Sequence, residues 1–330
     1  MSEPDQPSTP DRLTDLLTDG DHEETVACLN QLGAADAEAR KRVLRASRDV
    51  AKERPRVFKE LAAPLATFLT DDDRAVRLTT AKLFVTLAQS EPTVTLPVVD
   101  ALAERLADDG EFYYVRARCA EALGYVAVDS PENVTDPETL ADLRIGLRFD
   151  EPEVKEKLAK ALAYVGLGDP GRLRYHVTDL AEHLNSEDEL VRYYLATALV
   201  AVACEHADAL EPAVDALSER IDDSNPYVRG RSAEALGLAN RSGFDVQLPD
   251  DWDVDAVESE AAAAFLEPRV RFAAESGPLV DGIGETESIR NRTDDIVEAM
   301  TTPDGDDCPR CGLALPSDGM PMCPRCGRPF

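Results

Sequence analysis

Apolar positions recur along this chain with a long period. Acidic residues give way to a Val followed by Arg or Lys at Val76-Arg77, Val115-Arg116, Val154-Lys155, Val191-Arg192 and Val228-Arg229. The intervals between these anchor valines are 39, 39, 37 and 37 residues. Five residues after each Val stands Ala81, Ala120, Ala159, Ala196 or Ala233. Eight after comes Phe84, Leu123, Leu162, Leu199 or Leu236, and eleven after comes Leu87, Val126, Val165, Val202 or Ala239. These offsets return to one face of a helix with 3.6 residues per turn. They predict five long amphipathic helices, termed B, in which the small Ala lets a neighbouring helix come close.

A second apolar stripe precedes each B helix. Its pairs are Leu65/Leu69, Leu102/Leu106, Leu143/Leu147, Leu180/Leu184 and Leu217/Ile221, and they predict a partner helix A. Pro152 and Pro226 suit a first helical position, and Ser186 followed by Glu189 has capping-box spacing. One such helix pair of roughly 40 residues cannot bury its apolar face alone, so the pairs must stack into a continuous core. The ends of the array are degenerate: Ala39-Arg40 stands at the first anchor position, and Val270-Arg271 with Glu275 at the last. Between them, Ser242–Asp253 breaks the period and carries the only Trp, Trp252, read as a capping plug.

The expected organisation is an all-α, right-handed solenoid over residues 11–276. Residues 1–10 are polar, Pro-rich and read as disordered. Residues 277–307 read as a linker with one helix around Glu285–Met300, and residues 308–330 as a separate module. That last segment holds Cys308-Pro-Arg-Cys311-Gly and Cys323-Pro-Arg-Cys326-Gly. Two knuckles of this spacing supply four thiolates, the tetrahedral donor set of a structural Zn²⁺ with no position left open for catalysis. A module this small has almost no core, so one bound ion would supply its folding energy. The remaining Cys28, Cys119 and Cys204 fall on apolar helix faces and read as small buried hydrophobes.

Composition narrows the function. Hydrophobic residues make up 43% of the 330 residues and aromatics 5%, which favours close-packed helices. There are 65 Asp plus Glu against 35 Lys plus Arg, a net charge of −30, and seven of the cations are Lys. Such a surface resembles that of halophilic archaeal proteins, where molar salt shortens the Debye length to about 3 Å and screens self-repulsion. Bulk nucleic-acid binding by the solenoid is disfavoured, because neutralising phosphates needs a basic face. No apolar run reaches the roughly 20 residues of a membrane span, and no signal peptide is evident, so the expected compartment is the cytoplasm.

The repeated unit, with its acidic residues followed by Val-Arg, resembles the HEAT repeat in the short form of phycobilisome-lyase HEAT-like domains, over roughly residues 36–276. The C-terminal knuckles resemble a short zinc ribbon; rubredoxin has similar knuckles with a longer loop between them. The HEAT resemblance implies a fold and no activity. It also implies that the recurring Arg (Arg77, Arg116, Arg192, Arg229, with Lys155) pairs between adjacent repeats and satisfies loop backbone groups.

No catalytic site is legible. The HEAT-repeat hydroxylases that hold iron on several His-Glu dipeptides have one counterpart here, His22-Glu23. His176 and His183 read as surface positions of one helix A. There is no nucleotide-binding Gly-rich loop and no nucleophile elbow, so a lyase-like HEAT activity is a lesser alternative. The resemblance places the B helices on the concave face. There, positions three, six and ten after each anchor gather Arg118, Lys157, Lys160 and Arg231 with Tyr125, Tyr164 and Tyr194. Arg and Tyr are favoured interface anchors. The expectation is an interaction scaffold whose inner face grips an acidic or mixed-charge protein segment; small-molecule binding is disfavoured. The alternative is a nucleic-acid- or ribosome-associated factor acting through the ribbon. Arg310, Arg325 and Arg328 against Asp318 and a four-thiolate zinc leave that ribbon nearly neutral.

Overall fold

The computed structural model describes residues 12, 16–17, 22–244, 246, 257, 259–274 and 282–301. Residues 1–10, Trp252, Glu275 and the four cysteines of residues 308–330 lie outside them. The described residues are helical throughout their regular structure. In chain order the α-helices are α1 (His22–Leu32), α2 (Ala37–Glu53), α3 (Ala62–Ala66), α4 (Arg74–Ser90), α5 (Val99–Ala107), α6 (Tyr113–Asp129) and α7 (Pro137–Ile145). They continue with α8 (Pro152–Gly168), α9 (Val177–Ala181), α10 (Glu189–His206), α11 (Val214–Glu219), α12 (Pro226–Arg241), α13 (Glu260–Ala274) and α14 (Thr286–Thr301).

The long helices α2, α4, α6, α8, α10, α12 and α13 stack one on the next. The five expected B helices, α4 to α12 by even number, each begin two residues before their anchor Val. Their core stripe is complete: every anchor Val and every residue five, eight and eleven after it is fully buried. Close approach is built in at Gly124, where an added Cβ would lie 2.7 Å from Ala161 Cα of the next helix. Three of the five B-helix starts are capped by side chains. Asp73, Asp188 and Asn225 accept from the backbone N–H groups two and three residues on, and Pro152 and Pro226 occupy the first helical position. The N-cap is therefore Asp188; the expected capping role of Ser186 is displaced by two residues, and Ser186 instead accepts from Asp188 N–H at 3.4 Å.

The A layer departs from the expected single helices. Both members of every apolar pair are buried, yet only Leu102 and Leu106 share one helix, α5. Elsewhere the helix ends between the two, giving way to a 3₁₀ turn at Thr67–Thr70 after α3, Gly146–Arg148 after α7 and Arg220–Asp222 after α11, and to a turn after α9. Prolines act at the other end of the short helices, in the segments that lead into them. Pro92, Pro97, Pro131, Pro170 and Pro212 all sit in 3₁₀ segments, where a missing N–H costs little. His176 and His183 consequently flank α9 and do not share a helix; both are half-buried.

The C-terminal end of the array is also in a different register. Added Cβ atoms on Gly230 and Gly237 would meet Phe265 and Phe272 of α13. This puts Phe265 and Leu266, and not Val270, level with the anchor Val228. The buried aromatic rings fill space that smaller residues fill elsewhere.

Candidate functional site

The long-helix face turned away from the short elements carries an ordered polar cluster. Glu121 on α6 is buried, and three cations converge on it: Arg118 at 2.7 Å, Lys160 at 3.4 Å and Lys157 at 3.7 Å. Lys160 also donates to Tyr125 Oη at 2.7 Å and sits over the Tyr125 and Tyr164 rings. The rings of Tyr125, Tyr164 and Tyr194 form an edge-to-face row, with centroids 5.1 and 6.4 Å apart. These tyrosines come from α6, α8 and α10, so the row runs across the stack. Burial pushes the Tyr125 and Tyr164 phenols well above their ordinary range, so both stay protonated.

A second cluster lies further along. Arg231 and Glu234 on α12 are both 0% exposed and pair at 2.9 Å. Arg269 of α13 reaches the same carboxylate at 2.9 Å, and the backbone N–H of Gly284 donates to its other oxygen at 2.9 Å. Burial alone would raise the Glu234 pKa; Arg231 and Arg269 more than reverse it and hold it below the ordinary value. Glu121 behaves likewise, with Lys157, Lys160 and Arg118 outweighing burial.

Helix α14 covers much of this face. Sequence placed a helix around Glu285–Met300, and the structure forms it over Thr286–Thr301. Gly282 and Gly284, at φ of 78° and 75°, turn the chain into it. Ile289, Thr293 and Ile296 are its buried side chains. It touches α8 and α10, Tyr164 donates to Asp294, and Arg290 reaches the Val128 carbonyl and the Asp129 carboxylate at the end of α6. Between α14 and the ends of α4, α6 and α8 remains a cleft of about 330 Å³, lined by Gln89, Tyr125, Val128, Tyr164, Arg290 and Asp294 among others.

The structure thus brings the seven sequence candidates onto one face, but not as an open patch. Tyr194 is 1% exposed and Arg231 0%, while Tyr125, Tyr164 and Lys160 are buried as well. Arg118 and Lys157 are half-buried and held by carboxylates. The expectation of an accessible surface is corrected for the buried five: α13, α14 and the packing of neighbouring long helices enclose them. Sequence reasoning missed Asp294 as a partner for this face. The spacing of Ile289 and Ile296, one apolar stripe on an otherwise polar helix, was the available signal.

The recurring Arg is structural in geometry. Arg77 clamps Glu111 at 2.7 Å and caps the Asp71 carbonyl at 2.8 Å. Arg192 does the same with Asp223 at 2.7 Å and the Ser186 carbonyl at 2.8 Å, and Arg40 pairs with Asp71 at 2.8 Å. Each carboxylate belongs to the loop of the following repeat. Arg116 departs from this: it pairs with Asp109 of its own loop at 3.2 Å, and Phe149 stands where the next repeat would offer the acid, its ring centroid 5.2 Å from the guanidinium. Lys155 and Arg229 make no ion pair to any described residue.

Among the described residues no cluster of His, Cys, Asp or Glu is arranged to hold a metal, and no helix is long and apolar enough to cross a membrane. No protein-family model matches the chain, and no curated protein matches its sequence. Solved structures do match. A designed armadillo repeat protein is 18% identical, with 71% of this chain and 100% of that one covered, at a TM-score of 0.51. An engineered protein of the Northeast Structural Genomics Consortium is 22% identical, with 71% and 99% covered, at 0.55. A designed armadillo repeat protein in complex with peptide (KR)4 is 18% identical, with 71% and 100% covered, at 0.51. By fold, then, the chain is a helical-repeat solenoid similar to designed armadillo repeat proteins.

Proposed function

We propose that the protein is a non-catalytic interaction scaffold that holds a protein segment on its long-helix face. The observation that carries this reading is α14 itself. The face already accommodates a helix, through buried Ile289 and Ile296 and the Tyr164–Asp294 hydrogen bond. A similar designed protein is in complex with a (KR)4 peptide, which supports peptide recognition as a use of the fold. Beyond the Arg and Lys that Glu121 and Glu234 neutralise, the face carries the half-buried cations Arg48 and Lys82, so an acidic or mixed-charge segment is the complementary ligand. The finer affinity proposed is with HEAT-like repeats of the phycobilisome-lyase type, adapted to high salt in the manner of halophilic archaeal proteins. Crosslinking within complexes captured in molar salt tests the scaffold reading. Crosslinks on α4, α6 and α8 are expected; crosslinks confined to the short-helix layer, or no captured protein at all, would reject it.

Cys308, Cys311, Cys323 and Cys326 are proposed to hold one structural Zn²⁺, on the strength of their two-knuckle spacing. Bound zinc near one per chain is expected after purification without added metal. Chelation should then leave the far-UV helical signal almost unchanged, since the core of the described helices is built without these residues. Zinc well below one per chain would remove the ion from the account.

A further inference from the structure

The half of the long-helix face that α14 leaves open carries cations of its own. Arg48 on α2 and Lys82 on α4 are half-buried, and neither has an ion pair or a hydrogen bond to any described residue. Arg48 Nε is enclosed without an acceptor. Burial lowers the Lys82 pKa, and the positive charges of Arg118 and Arg48 lower it further. The nearest opposing carboxylates are already committed. Glu121 is shared by Arg118, Lys157 and Lys160, Glu153 is held by Arg118 at 3.2 Å, and Asp49 is held by Lys52 at 2.8 Å.

What sets the two apart is that they neighbour each other, half-buried, on one face of a chain with 65 acidic residues against 35 basic ones. Carboxylates are abundant enough to neutralise nearly every cation, and two neighbouring ones on this face are left without any. Uncompensated, partly desolvated cations cost stability in the free protein, and an incoming anion would relieve that cost. The fold also shows what shape of anion the face takes. Helix α14 has Glu287, Asp294, Asp295 and Glu298 against Arg290 and Arg292, and it seats an apolar stripe with one carboxylate directed at the face. The open stretch adjoins the place where α14 stops covering the stack, marked by the cleft beside Gln89 and Tyr125.

We propose that Arg48 and Lys82 dock an acidic amphipathic helix of a protein partner, laid on the long-helix face beside α14, with partner carboxylates supplying the missing counter-charges. This deepens the scaffold reading and rests on it. The probe is a fluorescent peptide matched to the 16 residues of α14, with Leu at helical spacing and Glu elsewhere. A twin carries Lys for Glu, and inorganic phosphate serves as competitor. Binding is measured on the full chain in molar salt, where long-range repulsion from the net charge is screened. Saturable binding of the Glu peptide is expected, with at least tenfold weakening in Arg48→Glu with Lys82→Glu. The Lys twin should bind more weakly, and millimolar phosphate should not displace the peptide. The melting temperature of the variant checks its fold, and Arg48→Gln with Lys82→Gln replaces it if reversal unfolds the chain. Equal binding by the variant, equal binding of the twin, or displacement by phosphate would each overturn the docking site. If crosslinks to a captured partner still fall on α4, α6 and α8, the scaffold reading stands while this site falls.

Discussion

At the scale of single residues, the stack is set by small contacts and by charges that have nowhere else to go. Gly124 is the clearest case. Alanine is the better helix former by about 1 kcal/mol, so Gly124→Ala ought to stabilise an isolated helix. Here its Cβ would come within 2.7 Å of the Ala161 backbone. The expected outcome is a destabilisation of about 1–3 kcal/mol in urea titration; a gain in stability would contradict the close packing of α6 on α8. Glu234 tests the charges. Removing it strands Arg231 and Arg269 in the core, so Glu234→Gln should cost about 3–5 kcal/mol. Its pKa, like that of Glu121, is lower in the folded chain than the ordinary 4.5. The unfolded chain therefore takes up these protons first, and the stability the two carboxylates supply is full above that pH. It declines as pH falls below about 4.5 and through the folded values. Melting temperature against pH should show this decline in wild type and a shallower one in Glu234→Gln.

At the scale of elements, α14 is the informative one. It lies outside the repeat, yet it joins the long-helix face through Tyr164, Val128 and Asp129. Arg290→Ala with Asp294→Ala should raise amide hydrogen exchange across Thr286–Thr301 and leave α6, α8 and α10 protected. Unchanged exchange would mean that the apolar stripe alone holds the helix. The long helices and α14 were legible in sequence because their apolar spacing is helical, and at α4, α8, α10 and α12 because the starts also carry Asp, Asn or Pro. The short layer was legible only as burial. Leu65/Leu69 and Leu143/Leu147 are correctly paired as core residues, but a two-residue stripe does not distinguish an α-helix from an α-helix tightened into 3₁₀. The terminal Val270-Arg271 misled for a related reason: a dipeptide reports register only where the apolar offsets around it agree, and Phe265 and Phe272 carry the register instead.

At the scale of the molecule, periodicity fixes which residues share a face but is blind to what covers that face. Tyr125, Tyr164 and Tyr194 were grouped correctly by spacing alone, yet Tyr164 is hydrogen-bonded to Asp294 of α14, which begins 92 residues after Tyr194. Against the net charge of −30, Arg48 and Lys82 are two neighbouring half-buried cations on that face without an ion pair to any described residue. The claim that joins these scales is that the long-helix face is where the protein works. Affinity capture in molar salt tests it most directly, comparing wild type, Arg48→Glu with Lys82→Glu, and Tyr175→Ala as a control on an exposed turn of the short layer. A protein partner recovered by wild type and by the control, and lost from the Arg48/Lys82 variant, is the predicted result. Undiminished recovery by that variant, with loss from the control, would contradict it.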